Sequence, residues 1–188
     1  MIKNNLSSII ITLFSVLLMS CSGNDQFKIE KGKVGHVTQK TTVLELDNIF
    51  KNDSIVKNLS EGSTGDDYLQ DDDKYLIYDK EGKHLLTIIP KEQLDSTSTI
   101  KSVQIHDARF KTETGITLDS NFLDIKANSN IDKVESSFSS ATLFIDELNT
   151  TIAIDKEELG LKSFSTQKVV LDQIPDLAKI KSFIVWFN

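Results

Sequence analysis

The chain has 188 residues, 28 acids against 21 bases, a net charge of −7 and 39% hydrophobic residues. Arg109 is the only arginine, and the lysines are scattered. Without a clustered basic face to neutralise phosphates, the composition excludes nucleic acid as a partner, and without a polybasic segment it gives anionic headgroups nothing to hold.

Lys3 supplies a minimal basic region, and Ile9 to Met19 is an apolar run broken only by Thr12 and Ser15. Small Ser20 then precedes Cys21, the one cysteine. This run is too short and wrongly flanked for a spanning helix and reads as a secretory signal over residues 1–20. Leu18-Met19-Ser20-Cys21 resembles a bacterial lipobox. The resemblance implies cleavage before Cys21 and lipidation of its thiol. Buried acyl carbons contribute about 0.8 kcal/mol per CH₂, so several chains would hold the protein at a bilayer. With Cys21 lipidated, the folded part has no thiol for a disulfide, a nucleophile or a metal. Stability must then come from a hydrophobic core.

Residues 21–27 read as a polar tether. Beyond it the chain repeats with an offset of 80. Lys31 and Gly35 match Lys111 and Gly115, and Glu92-Gln93-Leu94 matches Asp172-Gln173-Ile174. Ile100-Lys101-Ser102-Val103 likewise matches Ile180-Lys181-Ser182-Phe183. Two halves follow, 28–107 and 108–188. In the first, Thr42 and Glu45 form a capping box, with Val43, Leu46, Ile49 and Phe50 on one helical face. In the second, Asp119 or Ser120 can cap a helix whose apolar side carries Phe122, Leu123 and Ile125. Tyr75–Tyr78 and His84–Ile89 make a hairpin, matched by Thr142–Ile145 and Thr151–Ile154. Ile100–His106 and Ile180–Phe187 close the halves as strands, and Val169–Leu171 is a further strand candidate. The expected class is α+β, two similar halves of a helix plus antiparallel strands, with helices covering one face of the sheet.

Chemistry is sparse along this frame. Asp66, Asp67, Asp71, Asp72 and Asp73 could offer hard oxygen ligands to Ca²⁺, but their spacing fails the EF-hand pattern, and a solvated acidic loop is the alternative. His36, His84 and His106 stand far apart in sequence with no metal-ligand spacing. No Gly-x-Ser-x-Gly or Ser-x-x-Lys motif occurs. In His106-Asp107-Ala108-Arg109, Arg109 could hold an anionic ligand bidentately or pair with Asp107 to fix the link between halves. Trp186 reads as packing. Nothing has a catalytic signature, and no cofactor is implied.

The Lys-rich, Arg-poor chain is similar to small lipoproteins of Bacteroidota-type bacteria. Gly115-Ile116-Thr117-Leu118-Asp119-Ser120, a glycine and a capping residue opening a helix, also resembles the turn of small envelope lipoproteins. Among these are the smallest helper subunits of outer-membrane barrel assembly and the tandem-repeat β-lactamase inhibitors. The first half departs from that turn, since His36-Val37-Thr38-Gln39-Lys40 follows Gly35. The resemblance carries no activity. It implies a lipid-anchored outer-membrane protein, and the scarcity of acids directly after Cys21 points to the periplasmic face. The function expected is non-catalytic binding or scaffolding with an envelope protein partner. A small-ligand or cation-binding domain, or an envelope hydrolase, are the alternatives.

Overall fold

The structure is a computed structural model, and it describes residues 25–60, 72–162 and 164–187. Twelve strands dominate. The first three are short: β1 (Lys28–Glu30), β2 (Lys33–Val34) and β3 (Val37–Thr38). They are followed by β4 (Ser54–Asn58), β5 (Lys74–Tyr78), β6 (His84–Pro90) and β7 (Ile100–Ile105). The second half adds β8 (Lys111–Thr112), β9 (Lys133–Ser136), β10 (Ser140–Ile145), β11 (Thr150–Asp155) and β12 (Ile180–Trp186).

Eight strands form one antiparallel sheet in the order β4-β5-β6-β7-β12-β11-β10-β9, and β3-β2-β1-β8 form a smaller one with a single parallel pair, β1–β8. Among the described residues α-helix is confined to Leu46–Ile49 and Phe122–Asn128. The molecule is therefore mostly β, which overturns the α+β expectation of a sheet covered by helices. The reason is local. Each capped helical face is real but brief, and both helices run into strands absent from the sequence reading, β4 and β9. Val169–Leu171 forms no strand, and Leu171–Gln173 is a 3₁₀ turn instead.

One face of the large sheet is the core. Ile77, Leu86, Ile88, Val103, Ile105, Ile152, Phe183 and Val185 are at most 1% exposed. Fully burying such a side chain contributes roughly 1.5–3 kcal/mol each. Ile29, Val34 and Val37 of the small sheet belong to the same core, as do Val43, Leu46, Phe122 and Ile125 beside them. Ile49 and Phe50 are only partly buried, and Leu123 is exposed. Gly35 lets the small sheet close: its φ is +56°, and a Cβ there would lie 2.4 Å from the Gln26 carbonyl oxygen. Farther along, buried Lys156 donates from Nζ to the carbonyls of Ser165 and Gln167, pinning the long connection before β12.

The β7–β12 seam joins the halves. Ile105 faces Phe183, Gln104 faces Ile184 and Val103 faces Val185. Shifting either strand by 80 residues maps this pairing onto itself, with a local two-fold through the Gln104–Ile184 pair. The caps repeat as well. The amide of Val43 donates to Ser98 O and that of Leu44 to Ser96 O, while those of Phe122 and Leu123 donate to Ala178 O and Asp176 O. Thr42 and Asn121 each close a capping box, so Asn121, rather than Asp119 or Ser120, caps the second helix. Each half supplies four strands to the large sheet. The small sheet breaks the symmetry, because β8 of the second half pairs with β1 of the first.

Candidate functional site

Cys21, Asp66, Asp67 and Asp71 lie outside the described residues. Of the remaining acids in that run, Asp73 is buried and structural. It accepts hydrogen bonds from Ser60 N (2.7 Å), Ser60 Oγ (2.9 Å) and Leu94 N (2.6 Å). Burial pulls its pKa upward, but these three donors outweigh it and hold the carboxyl below its ordinary value. Asp72 meets Lys101 Nζ at 3.3 Å on the surface. Among the described residues no group of three or more His, Cys, Asp or Glu side chains could hold a metal ion.

Arg109 is likewise engaged. Its Nε and Nη2 donate to Asp107 Oδ2 at 3.0 and 2.7 Å, Nη2 also donates to Asp79 at 2.7 Å, and the guanidinium lies 4.8 Å from the Phe27 ring centroid. Lys83 Nζ adds a second cation 3.0 Å from Asp107, whose side chain is fully buried. Burial alone would raise the Asp107 pKa, yet the hydrogen bonds from Arg109 and Lys83 bring it to about 2. The knot therefore ties the β5–β6 turn to the segment between the halves, with Nε and Nη2 of the guanidinium engaged by the two aspartates.

The outer face of the large sheet carries two features that sequence separation concealed. The first is a ring stack. Tyr78 lies on His84 at 4.7 Å between centroids, and His84 on His106 at 3.8 Å. Thr87 Oγ1 is 3.2 Å from His84 Nε2 and 3.0 Å from His106 Nε2. Leu86 O, 3.1 Å from His84 Nε2, can only accept, which assigns the His84 proton to Nε2. Thr87 can then accept from His84 while its own hydroxyl proton is available to a neutral His106 Nε2. Desolvation first, and the neighbouring His84 second, lower the His106 pKa to about 4. Only the β6–β7 register brings these histidines together. His36 stands apart and exposed.

The second feature is an open cleft of about 440 Å³ at the corresponding place in the second half, lined by Glu135, Thr142, Phe144, Asp146, Asn149, Thr150, Thr151 and Trp186. Thr151 Oγ1 accepts from Trp186 Nε1 at 3.0 Å, and Asn149 Nδ2 donates to Trp186 O at 2.8 Å, so the half-buried indole is held in place. Glu135 is paired with Lys133. The Asp146 carboxylate makes no hydrogen bond among the described residues. Trp186 was legible as an aromatic at the end of the last strand, but its neighbours come from three other strands and a turn and converge only in the fold.

No described helix is long and apolar enough to cross a membrane. No protein-family model and no curated protein matches the chain. Among solved structures the chain is similar to the uncharacterized protein yfeY from Escherichia coli, with a TM-score of 0.53 and 12% identity, covering 85% of this chain and 99% of that one. At that identity the likeness speaks of the fold alone.

Proposed function

We propose that this protein is a lipid-anchored, non-catalytic binding protein of the cell envelope, held at the outer membrane through Cys21 with its domain in the periplasm. The observation that carries the binding half of this reading is the outer face of the eight-stranded sheet. Antiparallel sheets commonly leave one face solvated and line it with polar side chains. Here Leu76, Phe144, Ile184 and Trp186 stand half-buried on that face among Thr87, Gln104, Thr142 and Thr151. Mixed apolar and hydrogen-bonding surface of this kind is what binding faces present. Of the charged residues that the sequence singles out, the described ones, Asp72, Asp73 and Arg109, are engaged in ion pairs or hydrogen bonds within the fold.

The anchoring half rests on the lipobox-like residues. In cells fed an acyl label, the native protein should be labelled and sediment with membranes, whereas Cys21→Ala should lose both properties. A Cys21→Ala variant that is processed to the same N-terminus and still membrane-bound would contradict lipidation. For the binding half, the unanchored domain should be retained on envelope fragments, and Ile184→Arg at the centre of the outer face should release it at unchanged Tm. Retention unaffected by Ile184→Arg would sink this use of the face.

A further inference from the structure

We propose that the Trp186 cleft is a saccharide site, taking one or two neutral sugar units of a glycan. The inference deepens the reading of the outer face as a binding surface and rests on it. Three properties of the cleft lead there.

First, the indole is offered rather than packed away. The central hairpins of the two halves carry equivalent pairs, Ile77–Leu86 and Ile145–Thr150, since Leu86 meets Ile105 on β7 and Thr150 meets Val185 on β12. In the same register Thr87 corresponds to Thr151 and His106 to Trp186, and each pair is joined by a hydrogen bond of 3.0 Å. In the first half His84 and Tyr78 stack over His106 and fill the space. In the second half Asp146 stands where Tyr78 does, and Leu148, at the position of His84, packs against the core instead. The Trp186 ring is left without a covering ring. An apolar plane with a fixed orientation is what the C–H face of a pyranose ring stacks on.

Second, the rim is made of hydroxyl partners. The exposed Asp146 carboxylate can accept from two sugar hydroxyls, and Thr142 can both donate and accept. Phe144, opposite Thr151 in the sheet, extends the floor.

Third, the charge balance selects a neutral ligand. Asp146 would repel a phosphate or carboxylate. Lys133 is paired with Glu135 and holds its ammonium 5.5 Å from the Phe144 ring centroid, so the cation position over that ring is already taken by the chain itself. The acid at the rim also makes the cleft a poor seat for an acyl chain. A volume of about 440 Å³ lies within the roughly 300–1,000 Å³ of small-molecule sites.

Trp186 is the only tryptophan, so fluorescence excited at the red edge, where the three tyrosines do not absorb, reports this ring alone. Titration with soluble tri- and tetrasaccharides of glucose and of N-acetylglucosamine is expected to give a saturable change in emission. Asp146→Asn should weaken the midpoint at least 10-fold at unchanged Tm, and Trp186→Ala should abolish binding measured by calorimetry. The same titration with inorganic phosphate, choline or a short-chain detergent should leave emission flat. Saturable binding of one of those probes with none of the saccharides would overturn the assignment. So would saccharide binding that Asp146→Asn leaves intact. No saccharide response, with Ile184→Arg still releasing the domain from envelope fragments, would end this inference while leaving the binding face in place; loss of both effects would end both.

Discussion

Phe183→Ala is expected to cost about 3–5 kcal/mol of stability, the range for emptying a fully buried aromatic site. Phe183 is 0% exposed and sits at the seam, facing Ile105 on β7 and Ile152 on β11. Truncation removes its transfer energy and leaves a cavity between strands of both halves that the rigid ladders cannot close. That loss is a large share of the roughly 5–15 kcal/mol that holds a typical domain together. Chemical denaturation should show a lower midpoint with an unchanged slope. Phe138→Ala and Phe164→Ala, at 66% and 80% exposed, should stay within about 0.5 kcal/mol of the parent. A Phe183→Ala loss no larger than theirs would show that the seam does not carry the core.

The second large effect is on pH. His106 is neutral in the folded protein down to about pH 4, whereas the unfolded chain takes up the proton near the ordinary 6.5. Between those values the unfolded state binds more protons, so stability falls as pH drops from about 6.5 to about 4 and is flat above that window. At about 1.4 kcal/mol per pH unit, the full loss is on the order of 3 kcal/mol. The carboxylates behave differently. Asp107 and Glu30, both held to about 2, contribute stability above pH 4 that disappears only as pH falls from about 4 towards 2. Denaturant midpoints taken across pH 4–8 should therefore slope in the native protein and flatten in His106→Phe, which keeps the ring and removes the proton site. Parallel curves for the two proteins would contradict a His106 kept neutral by its burial.

The same stack explains why parts of this molecule were legible in sequence and others were not. Local alternation gave the strands around Tyr75–Tyr78, Ile100–Ile105 and Ile180–Trp186, because period-two burial is written in neighbouring residues. The offset of 80 led to the seam, where the pairing of Gln104 with Ile184 is what a two-fold between equivalent strands requires. Helical periodicity overreached. Val43, Leu46 and Phe50 share a face, but the α-helix spans only Leu46–Ile49, and the next residues turn into β4. The edge strands β4 and β9 are mostly exposed and carry no strong alternation, so their membership in the sheet is a tertiary decision. Site residues fared according to distance along the chain. Arg109 and Asp107 are two residues apart, and their pairing was one of two readings on the page. His84 and His106, or Asp146 and Trp186, meet only through strand register. Asp73 looked like one more solvated acid, and only its burial beneath Ser60 and Leu94 shows that it is a staple.

The claim on which the functional account turns is that the outer face of the large sheet is the working surface. Placing a photoreactive phenylalanine analogue at Ile184, at the centre of that face, and separately at Leu44, exposed beside the capped turn of the first half, tests it in intact cells. Irradiation should give a discrete slower-migrating adduct from position 184 and none from position 44. Adducts from Leu44 alone, or from neither position, would place the binding surface elsewhere and contradict the account.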